Sequence, residues 1–121
     1  MEVMIDQQRT PDANISSSNK ILTREALEAQ IAEWLHFYLG ELLDIPPENR
    51  DGSTTFERYG LDSSAAVGMT GDLAEWLGYE VDAAATFDHP SIDKLSHALA
   101  KDDDLWLAFA KKRNLMLPGE G

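Results

Sequence analysis

One carboxylate and two hydroxyl groups stand together in the stretch YGLDSSAAVG, residues 59–68. Asp62 and Ser63 directly precede a helical pattern, which places them at a helix N-terminus, where backbone N–H groups lack intrahelical acceptors. Either residue can simply cap this helix, a contribution of about 1 kcal/mol. The same N–H groups and the helix dipole favour a bound or attached phosphate, so a serine here can also carry a phosphodiester. The local sequence leaves both roles open.

The elements that must position these residues are helices. Thr23 is a suitable N-cap for a first helix, and apolar residues then recur at three- and four-residue steps: Leu27, Ile31, Trp34, Leu35, Tyr38 and Leu42. After a long loop, a helix from Ser63 to a C-terminal cap at Gly78 has the periodic residues Val67, Thr70, Leu73 and Leu77. Val81 and Phe87 are expected to pack around a short turn before a helix marked by Ile92, Leu95 and Leu99. No β-branched alternation occurs, so the fold class is all-α.

The C-terminal stretch KDDDLWLAFAKKRNLMLPGEG has acids before an apolar run and bases after it, an order that suits a helix dipole. Leu105, Phe109 and Leu115 with Trp106 predict an extra amphipathic helix. This helix either packs back on the domain or serves as a docking helix for a partner. We therefore divide the chain into a flexible segment 1–20, a domain 21–100 and an extension 101–121.

Composition excludes several function classes. With 22 acidic and 10 basic side chains, the net charge of −12 disfavours nucleic acid and anionic membranes as partners. It fits either a basic protein surface or simple solubility. The chain has no cysteine, so disulfides and thiolate metal sites are excluded and any thiol must be borrowed. His36, His89 and His97 lack metal-ligand spacing, and no metal is expected. No membrane span or export signal is visible, which predicts a soluble, cytoplasmic protein.

Two sequence blocks carry a family resemblance. FERYGLDSSAAVGMTGDLAEWLG resembles the core motif of acyl and peptidyl carrier proteins, Gly-x-Asp-Ser followed by a helix. TFDHPSIDKLSHALA resembles the segment that closes carrier domains of polyketide and nonribosomal peptide synthases. The resemblance covers roughly residues 21–100. It implies a four-helix bundle of acyl-carrier type with a long loop between helices one and two, to which the possible C-terminal helix is added.

The resemblance also implies a covalent cofactor and a set of partners. A phosphopantetheinyl transferase would attach 4′-phosphopantetheine to Ser63, with Asp62 helping to place that serine. The arm would hold an acyl group as a thioester, so the protein itself is not an enzyme. An acyl-adenylate-forming ligase would load it, as the AAVGMTGDLAEWLG run suggests, and a ketosynthase or tailoring enzymes would receive the acyl group. A monomer is expected.

This sequence departs from the family pattern after the attachment serine. Ser64 stands where a large apolar residue is usual, and Gly68 stands where many fatty-acid-synthesis carriers have a glutamate. Candidate partner-binding residues are Ser64, Gly68, Asp72 and Glu75. Three alternatives remain: a peptidyl carrier, an acidic interaction module that is never modified, and a small hydrolase using Ser63, for which the sequence offers no base.

Overall fold

Six α-helices and one short 3₁₀ turn make up residues 20–119, the part of the chain that the computed structural model describes. The helices are α1 (Arg24–Leu42), α2 (Phe56–Tyr59), α3 (Ser63–Leu77), α4 (Ala85–Asp88), α5 (Ile92–Ala100) and α6 (Asp103–Lys112), and the 3₁₀ turn is Pro47–Asn49. The predicted all-α fold class is confirmed, since this range contains no strand and only two isolated bridges, Ile21–Met116 and Thr55–Ser91. The segment predicted to be flexible lies outside the described residues, apart from Lys20.

The core forms between α1, α3, α5 and α6, and α1 packs most closely against α5. The side chains that α1 contributes are fully buried and follow one another at four-residue steps: Leu27, Ile31, Leu35 and Leu39. Helix α1 begins where predicted, because the Thr23 hydroxyl accepts a hydrogen bond from the N–H of Ala26 at 3.0 Å. The Ser91 hydroxyl caps α5 in the same way through the N–H of Lys94. These caps fix the start of both helices against the core.

Three apolar residues that were expected in the interior, two from helical periodicity and Phe87 from its place at a short turn, are exposed instead. Leu42, Val67 and Phe87 show about half or more of their surface to solvent. On α3, Ala66 and Met69 are buried, so the inward face is rotated away from Val67. The prediction was therefore wrong at these positions, although Thr70, Leu73 and Leu77 are buried as predicted.

Helix α6 belongs to the same core as the rest of the bundle. Leu105 and Phe109 are fully buried, whereas Leu115 follows the end of the helix and is partly buried. The Trp106 indole donates from Nε1 to the carbonyl of Leu22 at 3.0 Å, and Leu22 N–H donates to the carbonyl of Met116 at 2.7 Å. The extension thus packs back on the domain and joins the two ends of the described chain.

Basic residues at the end of α6 hold the C-terminus of α3. Arg113 donates to the carbonyl of Trp76 at 2.7 Å, and Lys112 donates to the carbonyl of Glu75. The Arg113 guanidinium lies 3.7 Å from the centre of the Phe109 ring and 4.9 Å from that of Trp76. Burial lowers the pKa of Arg113. Positive charge at a helix C-terminus is favourable, so this contact steadies the helix that begins at Ser63.

None of the helices between residues 20 and 119 combines the length and the apolar character that crossing a bilayer requires.

Candidate functional site

Ser63 is the first residue of α3, and its neighbour Asp62 performs the capping. The Asp62 carboxylate accepts a hydrogen bond from the N–H of Ala65 at 2.8 Å, and the Asp62 carbonyl accepts one from Ala66 at 2.9 Å. Ser63 and Ser64 are both exposed. Because the carboxylate provides the cap, the Ser63 hydroxyl is left available at the positive end of a 15-residue helix.

Removing the Asp62 side chain should destabilise α3. We expect Asp62→Ala to lower the free energy of unfolding by about 1 kcal/mol, because the N–H of Ala65 loses its acceptor. Asp62→Asn is the matched control. Asparagine caps helices as well as aspartate does, so this variant should lose only about a few tenths of a kcal/mol. Urea unfolding followed by circular dichroism measures both. Equal losses in the two variants would contradict a capping role and assign the effect to the charge.

A cavity of about 500 Å³ opens in front of Ser63. One wall is formed by α2 and the start of α3, and the other by α4 and Pro90; the full lining is Thr55, Phe56, Glu57, Leu61, Asp62, Ser63, Ala66, Thr86, Phe87 and Pro90. The two walls are joined at Phe56, whose N–H donates to the carbonyl of Pro90 at 2.8 Å. The predicted site residues Asp62 and Ser63 are therefore brought to the edge of one mainly apolar recess.

A left-handed turn at Gly60 makes this arrangement possible. Gly60 ends α2 at a φ of 96°, a backbone conformation that residues other than glycine adopt only with strain. After this turn Leu61 is half-buried, and Asp62 caps the next helix. The N–H of Leu61 donates to the carbonyl of Phe56 at 3.0 Å, which holds this turn closed.

The predicted partner-binding residues share one exposed face of α3. Ser64, Gly68, Asp72 and Glu75 are all exposed and follow one another at helical spacing. A Cβ at Gly68 would meet only the Tyr38 hydroxyl, at 4.0 Å, so packing within the domain does not demand glycine there. The Asp72 carboxylate accepts a hydrogen bond from Tyr38 at 2.9 Å. Burial first, and then this bond and the charge of Asp72, raise the pKa of Tyr38.

Two apolar residues near the start of α3 that were expected to pack in the interior are exposed. Phe87 is 70% exposed and lines the cavity, and Val67, which follows Ser63 by one helical turn, is 60% exposed. The helix that contains Phe87 has only four residues, which is too short for helical periodicity to predict which of them is buried. Thr86, the neighbour of Phe87, is the residue of α4 that is buried.

The side chains around Ser63 limit the chemistry that this serine can do on its own. The cavity lining contains no histidine, and the carboxylate next to Ser63 is engaged by the backbone of Ala65. Between residues 20 and 119, no group of histidine, aspartate or glutamate side chains is arranged to hold a metal ion. Ser63 therefore has no histidine in the cavity lining that could act as its general base.

A helical bundle that presents a serine at a capped helix start beside an apolar recess has the architecture of a carrier protein. The family described as "phosphopantetheine attachment site" matches residues 33–99, more than half of the chain. The chain therefore belongs to this family of carrier proteins, whose cofactor is a covalently attached 4′-phosphopantetheine. Members of this family are generally not catalytic themselves.

Curated relatives include both a separate protein and part of a large synthase. The acyl carrier protein TtuC of Teredinibacter turnerae is 37% identical over 83 residues, which cover 64% of this chain and 95% of TtuC. The polyketide synthase ThaG of Burkholderia thailandensis is 34% identical over 65 residues, which cover 54% of this chain but only 1% of ThaG. The likeness to the synthase is therefore confined to one carrier domain.

Solved structures of carriers share the fold. Asl1650, an acyl carrier protein from Anabaena with a variant phosphopantetheinylation-site sequence, matches with a TM-score of 0.59 and 31% identity, over 69% of this chain and 96% of Asl1650. A free-standing peptidyl carrier protein from Acinetobacter baumannii matches with a TM-score of 0.54 and 27% identity, over 64% of this chain and 92% of that protein. The predicted acyl-carrier fold is thereby confirmed.

The residues at the start of α3 fit the phosphodiester of such an arm. The N–H groups of Ser63 and Ser64 have no acceptor within the helix, and the Asp62 carboxylate accepts a hydrogen bond only from the N–H of Ala65. A phosphate attached at Ser63 would lie among these donors at the positive end of the helix dipole. The adjoining cavity provides an apolar surface beside the attachment point.

Proposed function

We propose that this chain is an acyl carrier protein that bears its arm on Ser63. The observation that carries the proposal is the exposed Ser63 hydroxyl, left free by the Asp62 cap at the edge of the cavity. Similarity to TtuC along nearly its whole length supports acyl cargo. Similarity to carrier domains of polyketide synthases supports a place in specialised metabolism.

Attachment requires an outside donor and an outside catalyst. The Ser63 oxygen forms a bond to the β-phosphorus of coenzyme A, the pyrophosphate P–O bond breaks, and adenosine 3′,5′-bisphosphate leaves. The hydroxyl proton passes to a base of a phosphopantetheinyl transferase, since the cavity lining contains no histidine to accept it. Coenzyme A is a cytosolic metabolite, which supports a cytoplasmic place of work.

When bound, the arm supplies a terminal thiol that holds an acyl group as a thioester. This chain has no cysteine, so no thiol of its own competes for the acyl group. Its part is to hold the attachment point at the capped helix start and to present the cargo to successive enzymes at high effective concentration. We propose no catalytic role for the chain itself.

The enzymes that load and unload the carrier are proposed from the sequence run AAVGMTGDLAEWLG, which makes up most of α3. An acyl-adenylate-forming ligase would supply the acyl group, and a ketosynthase or tailoring enzymes would receive it. A peptidyl carrier role is the second candidate, favoured by the similarity to the Acinetobacter carrier at 27% identity. The higher identity to two acyl carriers, 37% and 31%, gives acyl cargo the stronger support.

Intact-protein mass spectrometry tests the carrier function. The wild-type chain is incubated with coenzyme A, magnesium and a broad-specificity phosphopantetheinyl transferase, and we expect the mass to rise by one phosphopantetheine. The control is the same mixture without transferase. If the folded protein gains no mass with several transferases, the proposal fails and an unmodified acidic interaction module remains.

A further inference from the structure

Helix α1 has a second aromatic face besides the face that it buries in the core. An open groove of about 410 Å³ follows this second face and is lined by Gln30, Glu33, Trp34, Phe37 and Trp76. The four lining residues from α1 lie at the spacing of one helical face. Trp34 and Trp76 pack partly against the core, whereas the Phe37 ring is 64% exposed. The packing of the domain therefore accounts for the two tryptophans but not for Phe37.

Stacked rings hold one wall of this groove in place. Trp34 stacks on Tyr38 and on Trp76, with ring centres 4.9 and 5.8 Å apart. From α6, the Phe109 ring meets that of Trp76 edge-on at 5.3 Å, and the Arg113 guanidinium lies 4.9 Å from the centre of the Trp76 ring. The carrier family match ends before α6 begins, so this support comes from outside the matched domain. A wall ordered in advance loses little conformational entropy when a partner covers it.

Carboxylates border the groove on both helices. Glu33 belongs to the lining and is exposed, and Glu41 is exposed one helical turn after Phe37. On α3, Glu75 is exposed next to the tryptophan of the groove. None of these three carboxylates forms an ion pair within residues 20–119. The groove is therefore aromatic at its centre and negatively charged at its edge.

An arginine side chain matches this combination of groups. Its planar guanidinium stacks on aromatic rings and pairs with carboxylates, and its methylene stem packs along apolar surface. The protein already places its own arginines in this way. The Arg24 guanidinium lies 4.0 Å from the centre of the Trp106 ring, and that of Arg113 lies 3.7 Å from the centre of the Phe109 ring.

Other occupants fit the groove less well. A second copy of this chain has the same net charge of −12, so two copies repel each other. Residues 1–19 contain three acidic residues and one basic residue, Arg9. A small ligand would stay largely exposed beside the exposed Phe37 ring, whereas small-molecule sites enclose most of the ligand surface. The charge of the groove favours a basic segment of another protein.

We propose that this groove docks a basic segment of a partner protein through an arginine side chain. The guanidinium pairs with Glu33 and lies on the Phe37 ring, and the methylene stem runs along Trp34 and Trp76. Further basic residues of the partner meet the carboxylates at the edge of the groove. Trp76 lies about 20 Å along the axis of α3 from Ser63, so this surface is separate from the proposed attachment site. The inference goes beyond the carrier function and does not depend on attachment of the arm.

NMR titration of the full-length protein with a synthetic peptide tests this docking. The probe is a short helical peptide that carries one arginine between lysines, and its matched peptide has the uncharged analogue citrulline in place of the arginine. The readout is the indole N–H signals of the three tryptophans in the assigned spectrum. We expect the arginine peptide to shift the Trp34 and Trp76 signals saturably and to leave that of Trp106 in place. The citrulline peptide should bind on the order of tenfold more weakly, because it loses both the ring contact and the ion pair.

Phe37→Ala and Glu33→Gln test the two contacts separately. Each should raise the Kd of the arginine peptide about threefold, since each removes one exposed contact of the guanidinium. Leu107→Ala and Glu25→Gln are the matched controls. Leu107 is 49% exposed on α6 and does not line the groove, and Glu25 is exposed on the face of α1 that borders α5. Both controls should leave the Kd unchanged, and thermal unfolding followed by circular dichroism checks that all four variants are folded.

Each of the following results would overturn the proposal. The Trp34 and Trp76 signals fail to shift with the arginine peptide, or the citrulline peptide binds equally well, which would make the contact purely apolar. Arginine amide binds as tightly as the peptide, which would make the groove a site for small cations. Without peptide, signals that depend on protein concentration would assign the groove to a second copy, and signals that change in Arg9→Ala would assign it to residues 1–19. Failure of the carrier function is distinct from all of these, because it appears as the absence of a mass gain in the transferase reaction.

Discussion

Replacing Ser63 with alanine is expected to abolish attachment of the phosphopantetheine arm, whereas Ser64→Ala should retain it. Both hydroxyls are exposed and adjacent, so exposure alone does not separate them. The difference lies in placement, because Ser63 lines the cavity and Ser64 does not. Ser63 also follows directly on Asp62, whose cap fixes the first turn of α3. One oxygen is thus presented to a transferase in a defined position.

Intact mass after incubation with coenzyme A, magnesium and transferase gives the result for both variants in parallel. The expected pattern is one added phosphopantetheine in the wild type and in Ser64→Ala, and none in Ser63→Ala. Because both serines are exposed, neither substitution should change the free energy of unfolding by more than about 0.5 kcal/mol. Loss of the arm only in Ser64→Ala, or persistence of the arm in Ser63→Ala, would place the attachment elsewhere.

The sequence predicts a capped helix start at residues 62–65, but only the structure shows which residue provides the cap. The sequence indicates an N-terminus at Asp62 and Ser63 because both residue types can accept a bond from the first N–H groups. It does not say which of them does so. In the structure the Asp62 carboxylate accepts the hydrogen bond from the N–H of Ala65, and the Ser63 hydroxyl takes no part in the cap.

The exposure of Val67 and Phe87 could not be predicted from hydrophobic periodicity. A hydrophobic pattern assigns apolar residues to the interior, and on a four-residue helix such as α4 it has too few positions to define a face. On α3, the small Ala66 and the nearby Met69 fill the core, which turns Val67 outward. The predicted interior position of Phe87 was therefore wrong.

Contacts between distant segments decided what the sequence left open about the C-terminal extension. Its charge order and apolar spacing predict a helix, and α6 follows that prediction closely. Whether the helix packs back depends on pairs such as Arg113 with Trp76 and Trp106 with Leu22, which are 37 and 84 residues apart. Local patterns contain no information on such pairs. The carrier family match ends at residue 99, before this helix begins.

Truncating Phe109 to alanine should therefore destabilise the whole domain. The Phe109 side chain is fully buried, its ring meets that of Trp76 edge-on at 5.3 Å, and the Arg113 guanidinium covers its face at 3.7 Å. Phenylalanine-to-alanine changes in cores cost about 3–5 kcal/mol. Domains of this size are stable by about 5–15 kcal/mol, so the variant should be severely weakened. Urea unfolding followed by circular dichroism measures the loss.

Leu107→Ala is the control within the same helix, because Leu107 is 49% exposed and should lose far less stability than Phe109. If α6 served as an undocked helix for a partner, both truncations would leave the free energy of unfolding nearly unchanged. A large loss in Phe109→Ala alone instead makes α6 part of the structure that supports α3. Since Arg113 and Lys112 hold the C-terminus of α3 while Ser63 stands at its N-terminus, weakening α6 should then also loosen the helix that begins at the proposed attachment serine.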